Sequence, residues 1–207
     1  MATHIYEQEQ VEALKRWWKE NSTSLIAGVA LGIALIFAWN AWKSYQDTQV
    51  EQASELYLKL LNAVAESNHE LAEGLASRLT SDFKRTAYAD FAYLLLAKVT
   101  AEQGQLEGAK HRLESLLTTS KDEDLKHVAR LRLARVWLAL GQPEKGMVVL
   151  TAADDLGRFA AQYEEVKGDL YHALGKPEQA LEAYRKAVAA SQDSPFLQMK
   201  LTELGLK

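Results

Sequence analysis

Apolar and polar positions follow one another in different ways along this chain, and each pattern predicts a different element. Residues 21–42, NSTSLIAGVALGIALIFAWNAW, carry no charge, and the stretch from Leu25 to Trp39 is almost wholly apolar. At about 1.5 Å per helical residue this segment measures roughly 33 Å, enough to cross the hydrocarbon core of a bilayer. A buried helix of a soluble protein rarely runs so far without a polar face. A cleaved signal peptide has a shorter apolar run and a small-residue cleavage site, which Trp39 and Trp42 would crowd. The segment therefore reads as a retained anchor. Before it, Ile5, Val11, Leu14 and Trp18 fall near one helical stripe, with Glu7, Glu9, Glu12, Lys15 and Lys19 elsewhere. That pattern fits a short interfacial helix or a docking site for a cytoplasmic partner. After the anchor, Val50, Ala53, Leu56, Tyr57, Leu60, Leu61 and Val64 repeat with helical spacing, and a shorter helix is predicted from His69 to Leu79. These two form a degenerate first hairpin, continuous or nearly so with the membrane helix.

Further along, three segments align: AKVTAEQGQLEGAKHRLESL from Ala97, ARVWLALGQPEKGMVVLTAA from Ala134 and GDLYHALGKPEQALEAYRKA from Gly168. Each has a small residue (Ala97, Ala134, Gly168), then a glycine (Gly104, Gly141, Gly175), then a second small residue (Ala109, Gly146, Ala180). The glycine spacings are 37 and then 34 residues. A 34-residue period of two antiparallel helices is that of the tetratricopeptide repeat, and the three extra residues of the first interval fall around TTSKDEDLK, an expected exposed loop. Small residues let helices A and B approach closely, and the glycine turns the chain between them. Pro143 and Pro177 suit the first turn of helix B. The third repeat matches best, with Tyr171 and Tyr184 at the large aromatic positions and Ala187 following. Elsewhere Thr100, Leu113, Leu150 and Gly146 replace the usual residues. Asp122, Glu123 and Asp124 mark a helix start, and Ser194 to Leu206 reads as a capping helix over the last repeat. The predicted fold class is all-α, a single N-terminal transmembrane helix followed by a tetratricopeptide-like α-solenoid. Its parts are an amphipathic segment (1–20), the span (21–42), the degenerate hairpin (43–85) and the repeats with their cap (86–207).

Composition sharpens this picture. Glycine and proline are scarce, 11 and 3 residues, as a helical chain requires. With 24 basic and 28 acidic residues and a net charge of −4, the chain lacks the concentrated basic surface of a nucleic-acid binder. Cysteine is absent, which excludes disulfides, thiolate metal sites and a cysteine nucleophile, and fits an oxidising compartment. The mean hydropathy of −0.23 conceals two solvents. Four of the five tryptophans, Trp17, Trp18, Trp39 and Trp42, bracket the charge-free span with Tyr45, where amphipathic rings favour the headgroup region. Trp137 is expected in the repeat core. Lys15, Arg16 and Lys19 precede the span, against Lys43 and Lys59 soon after it, so the N-terminus is expected to be cytoplasmic and the remainder translocated.

Candidate chemistry is sparse. No nucleophile elbow, phosphate loop or HExxH appears, and His4, His69, His111, His127 and His172 lack metal-ligand spacing. Glu165 and Asp169 stand i, i+4, as a carboxylate pair or as a solvated or ligand-facing surface. No cofactor, metal or catalytic group is expected. A solenoid instead offers a face lined by its A helices. Repeat register places Phe91, Leu94, Lys98 and Ala101 there, then Val128, Leu131, Arg135 and Leu138, then Gln162, Glu165, Asp169 and His172. The face passes from apolar and basic to acidic, which suits an extended polypeptide; inter-repeat packing and solvation are the alternative use of these positions. Gly28 and Gly32 form GxxxG, either a packing face for a second membrane helix or two ordinary glycines.

The opening YEQEQVEALKRWWKEN, the GVALG span and the motif LKHVARLRLARVWLALGQPEKG together resemble the YfgM-like family, ancillary subunits of the bacterial SecYEG translocon. The resemblance covers nearly the whole chain; one departure is NST at 21–23, where the family often carries a glycine. It implies an inner-membrane protein with periplasmic repeats, associated with SecYEG and the chaperone PpiD, that helps to receive translocating polypeptides, and a link to stress signalling on the cytoplasmic side. A general envelope scaffold and an organellar import receptor of opposite topology are the rival readings.

Overall fold

The computed structural model describes residues 2–191 and 195–203; these form α-helices and one 3-10 turn, with no strand among the described residues. The chain divides into two compact units, Met1–Glu51 and Gln52–Lys207.

Helix α1 runs unbroken over Ala2–Ala65, so the segments predicted separately before, within and after the span share one helix. The NST sequence does not interrupt it, because Asn21 turns its side-chain amide back to donate to the Trp17 carbonyl at 2.9 Å. Thr48 does the same to Ser44 at 2.9 Å. Polar groups in or beside an apolar span are satisfied within the helix that carries them. The helix is long and apolar enough to cross a membrane, and its large side chains, Leu31, Ile36 and Phe37 among them, point outward. Trp17, Trp18, Trp39, Trp42 and Tyr45 are exposed in the same way. The side chains of Ile5, on the expected apolar stripe, and of Glu7 and Glu9, off it, lie outside the described residues.

The second unit pairs its helices as the glycine spacing predicts. After α2 (His69–Asp82) come α3 (Ala87–Glu102) with α4 (Leu106–Thr119), α5 (Glu123–Ala139) with α6 (Pro143–Thr151), and α7 (Ala160–Ala173) with α8 (Pro177–Ala190). A 3-10 turn, Gly157–Phe159, precedes α7, and α9 covers Pro195–Glu203. Each A helix ends on a glycine with positive φ: Gly104 at +77°, Gly141 at +70° and Gly175 at +67°. The same two closing bonds recur at each, as from Gln142 N to Trp137 O and Gly141 N to Leu138 O, both 2.9 Å. That is a Schellman turn, which only a residue without a Cβ enters at little cost. Pro143 and Pro177 open α6 and α8, and the Asp122 carboxylate caps α5 by accepting from Leu125 N at 3.1 Å.

Small residues sit where helices touch. A Cβ on Gly168 would lie 2.4 Å from the Tyr184 ring, and one on Gly146 would lie 2.8 Å from Leu170 and 3.1 Å from the Ala134 carbonyl. In the first repeat Thr100 occupies the aromatic position, buried and bonded to its own helix at Leu96 O (2.6 Å), with Gly108 closing on its methyl group. The core is a series of clusters that pass from repeat to repeat: Leu113, Leu116 and Leu133; then Leu150, Tyr163, Val166 and Leu170; then Ala180, Tyr184, Ala187 and Leu197. Leu197 belongs to α9 and packs with Ala180, Tyr184 and Ala187 of the last repeat; Ser194 and 204–206 of the expected capping helix lie outside the described residues. Trp137 packs at the edge of its cluster rather than within it, with the ammonium groups of Lys110 and Lys145 at 5.0 and 4.7 Å from its ring.

Candidate functional site

Helices α3, α5 and α7 pack in sequence and contribute the residues singled out from the repeat register. Lys98 and Arg135 are exposed on that face, and both border one cavity of about 390 Å³ between α3, α4 and α5. Its walls are apolar, including Leu106, Leu113 and Val136. Phe91 is half-buried in an aromatic group with Tyr57 and Tyr88, ring centroids 5.7 to 6.1 Å apart. Ala101, Val128 and Leu138 are half-buried, and Gln162 and His172 exposed. Leu94 and Leu131 are 8% and 5% exposed, each within an inter-repeat core cluster. Gly28 and Gly32 have open space beyond their Cα atoms.

The acidic stretch has an internal partner. Lys200, on α9, places its ammonium 2.6 Å from Asp169 and 3.2 Å from Glu165, with all three side chains largely buried. The Tyr184 hydroxyl also donates to Asp169, at 2.7 Å. Glu165 further meets Arg135 at 3.6 Å. The face is thus charge-compensated at its C-terminal end by the chain's own cap. In the preceding repeats the balance differs, because Arg132, absent from the predicted set, joins Lys98 and Arg135 at the cavity rim. Its guanidinium donates to the Leu94 carbonyl at 3.0 Å. Burial, and then the like charge of Arg135, push its pKa below the usual value. Arg132 precedes Arg135 by one helical turn, so a charge pair at i, i+3 on a predicted inward face was the available signal. Lys200 had none, since its partners lie 31 and 35 residues away.

A second polar cluster, between α5 and the turn before α7, is structural. His127 Nδ1 lies 2.9 Å from the Tyr163 hydroxyl, its ring stacks on Phe159 at 5.0 Å, and Tyr163 is fully buried. Burial raises the Tyr163 pKa. No group of three or more potential metal ligands occurs among the described residues.

Helix pairs closed by glycine turns, stacked and capped, define a tetratricopeptide-like α-solenoid protein, and a tetratricopeptide repeat-like domain matches residues 15–206. Several relatives carry the name ancillary SecYEG translocon subunit. That of Haemophilus influenzae is 32% identical over 99% of this chain and 100% of its own length. The Escherichia coli (strain K12) protein is 32% identical over 98% and 99%, and that of Neisseria gonorrhoeae 29% over 99% and 100%. The chain belongs to this family of ancillary SecYEG translocon subunits, the YfgM-like proteins. The scaffold and these names indicate a non-catalytic protein, and the long apolar helix fits a protein of the inner membrane.

Proposed function

We propose that the chain is an inner-membrane ancillary subunit of the SecYEG translocon that holds a weak polypeptide-binding face beside the channel. In this reading α1 anchors it, with residues 1–20 cytoplasmic and the solenoid periplasmic. The face built on Phe91, Lys98, Val128, Arg135, Gln162, Glu165, Asp169 and His172, with Leu94 and Leu131 beneath it, meets translocating polypeptides or the chaperone PpiD. The Gly28 and Gly32 face of the span packs against a membrane partner. The observation that carries the reading is full-length similarity to named translocon subunits, apolar span included. Lys15, Arg16 and Lys19 ahead of the span support the orientation.

Tethering supplies the mechanism. Confinement near the channel raises effective concentration toward about the millimolar range, so modest affinity suffices and no nucleotide is required. Removing residues 1–42 and purifying SecYEG from solubilised membranes tests this. The truncated chain is expected to fold and to be lost from the translocon; full association without the anchor refutes tethering.

A further inference from the structure

The cavity between α3, α4 and α5 joins apolar walls to an unbalanced cationic rim. Lys98, Arg132 and Arg135 surround it, and Glu102 is the one carboxylate among the residues that line it. Glu102 faces Lys98 at 3.7 Å with both side chains over 60% exposed, a pairing that water and salt largely screen. Arg135 shares Glu165, 3.6 Å away, with the closer and better-buried Lys200. Arg132 has no carboxylate within salt-bridge distance among the described residues; its guanidinium donates to a backbone carbonyl. Two guanidiniums one turn apart, half out of water and short of anions, are suited to a carboxylate, which arginine binds through paired N–H groups. The C-terminal cap shows the converse on the same face, where a cation meets two carboxylates.

We propose that this cavity takes an extended polypeptide segment in which an apolar side chain stands next to an Asp or Glu. The apolar group enters between Leu106, Leu113 and Val136, and the carboxylate lies against Arg132 and Arg135, with Lys98 across from it. This rests on the polypeptide-binding reading above and adds to it a sequence preference: acidic-apolar segments are retained and basic ones are not.

The test uses the full chain in detergent micelles and short fluorescent peptides with both ends blocked, a Gly-Ser frame around Phe-Glu-Leu, Phe-Gln-Leu, Phe-Lys-Leu or Ser-Glu-Ser. Anisotropy is expected to rank Phe-Glu-Leu first, with the glutamine version about tenfold weaker, the loss of one charge-assisted contact. Arg135→Gln is expected to remove a similar factor for the acidic peptide and none for the glutamine one. Because Arg132→Gln also touches the Leu94 carbonyl, Ala139→Phe is the second variant; it fills the cavity from an exposed position without changing charge, and should weaken every peptide carrying Phe and Leu. Equal binding of the glutamate and glutamine peptides, or acidic-peptide binding unchanged in both Arg135→Gln and Ala139→Phe, overturns the proposal. So does tight binding only when the C-terminus is left free, or displacement of the peptide by phosphatidylglycerol vesicles. A photoreactive group at Lys98 separates the two failures. Labelling of all peptides alike leaves the polypeptide face standing without the preference, whereas labelling of none removes both.

Discussion

Gly168 is the position where one methyl group tests the repeat geometry most sharply. An alanine Cβ there would lie 2.4, 2.5 and 2.8 Å from three atoms of the Tyr184 ring, where ordinary contacts begin near 3.4 Å. The ring has little room to yield: Tyr184 is 4% exposed, and its hydroxyl is held by Asp169, which also takes Lys200. Overpacking of this kind costs about 1–3 kcal/mol, and three atoms in conflict argue for the upper part of that range. Alanine returns about 1 kcal/mol through helix propensity. The net expectation is a loss of about 1–2 kcal/mol, which for a domain of this size lowers Tm by roughly 2–8 °C. Melts of the detergent-solubilised full chain followed by circular dichroism measure it. In a Tyr184→Leu background the ring is gone, so the same change should become neutral or stabilising, a coupling of at least about 1 kcal/mol. A Gly168→Ala chain that melts higher than the parent, or a cycle with no coupling, would refute close contact between α7 and α8.

Gly141 has a positive φ but open space around it, so Gly141→Ala should cost about 1 kcal/mol through backbone strain, with Gly141→Asn milder, as read by urea unfolding. Tyr163→Phe leaves His127 Nδ1 without its buried partner and should cost about 1–2 kcal/mol in the same assay, with the ring packing kept. Asp90 accepts a hydrogen bond from Ser120 at 2.7 Å, yet burial outweighs that bond and raises its pKa. Folding therefore favours its protonated form, and its contribution to stability falls as pH rises through the folded pKa. Asp90→Asn should accordingly gain stability over the parent at about pH 7, and the gain should vanish in acid, below the unfolded pKa; a gain that grows in acid contradicts the sign.

Much of the solenoid was legible because its signals are local. Gly104, Gly141 and Gly175 mark left-handed turns that only glycine makes cheaply, Pro143 and Pro177 tolerate only a helix start, and Asp122 caps the helix that follows it. The anchor was legible because absence of charge over such a length has few other physical solutions. Less was legible where partners are distant. Repeat register places Leu94 and Leu131 on the A-helix face, but depth depends on which neighbour covers each, and the adjacent helices bury both. Likewise Glu165 and Asp169 look like an open acidic surface until α9 brings Lys200 onto them. Thr100 looked like a defect in its repeat; Gly108 on the facing helix makes room for it, a compensation that no single-position pattern carries.

The decisive feature of the proposed function is an A-helix face that meets polypeptide beside the translocon. Photoreactive residues at Lys98 and Arg135 in the membrane-embedded chain, against controls at exposed Glu107 and His111 on α4, test that directly while a secreted protein is held in the channel. Adducts to the secreted chain or to a translocon-bound chaperone from Lys98 and Arg135, lost when residues 1–42 are removed, are the predicted result. Equal labelling from all four positions, or none from Lys98 and Arg135 in a chain that still copurifies with SecYEG, would contradict it.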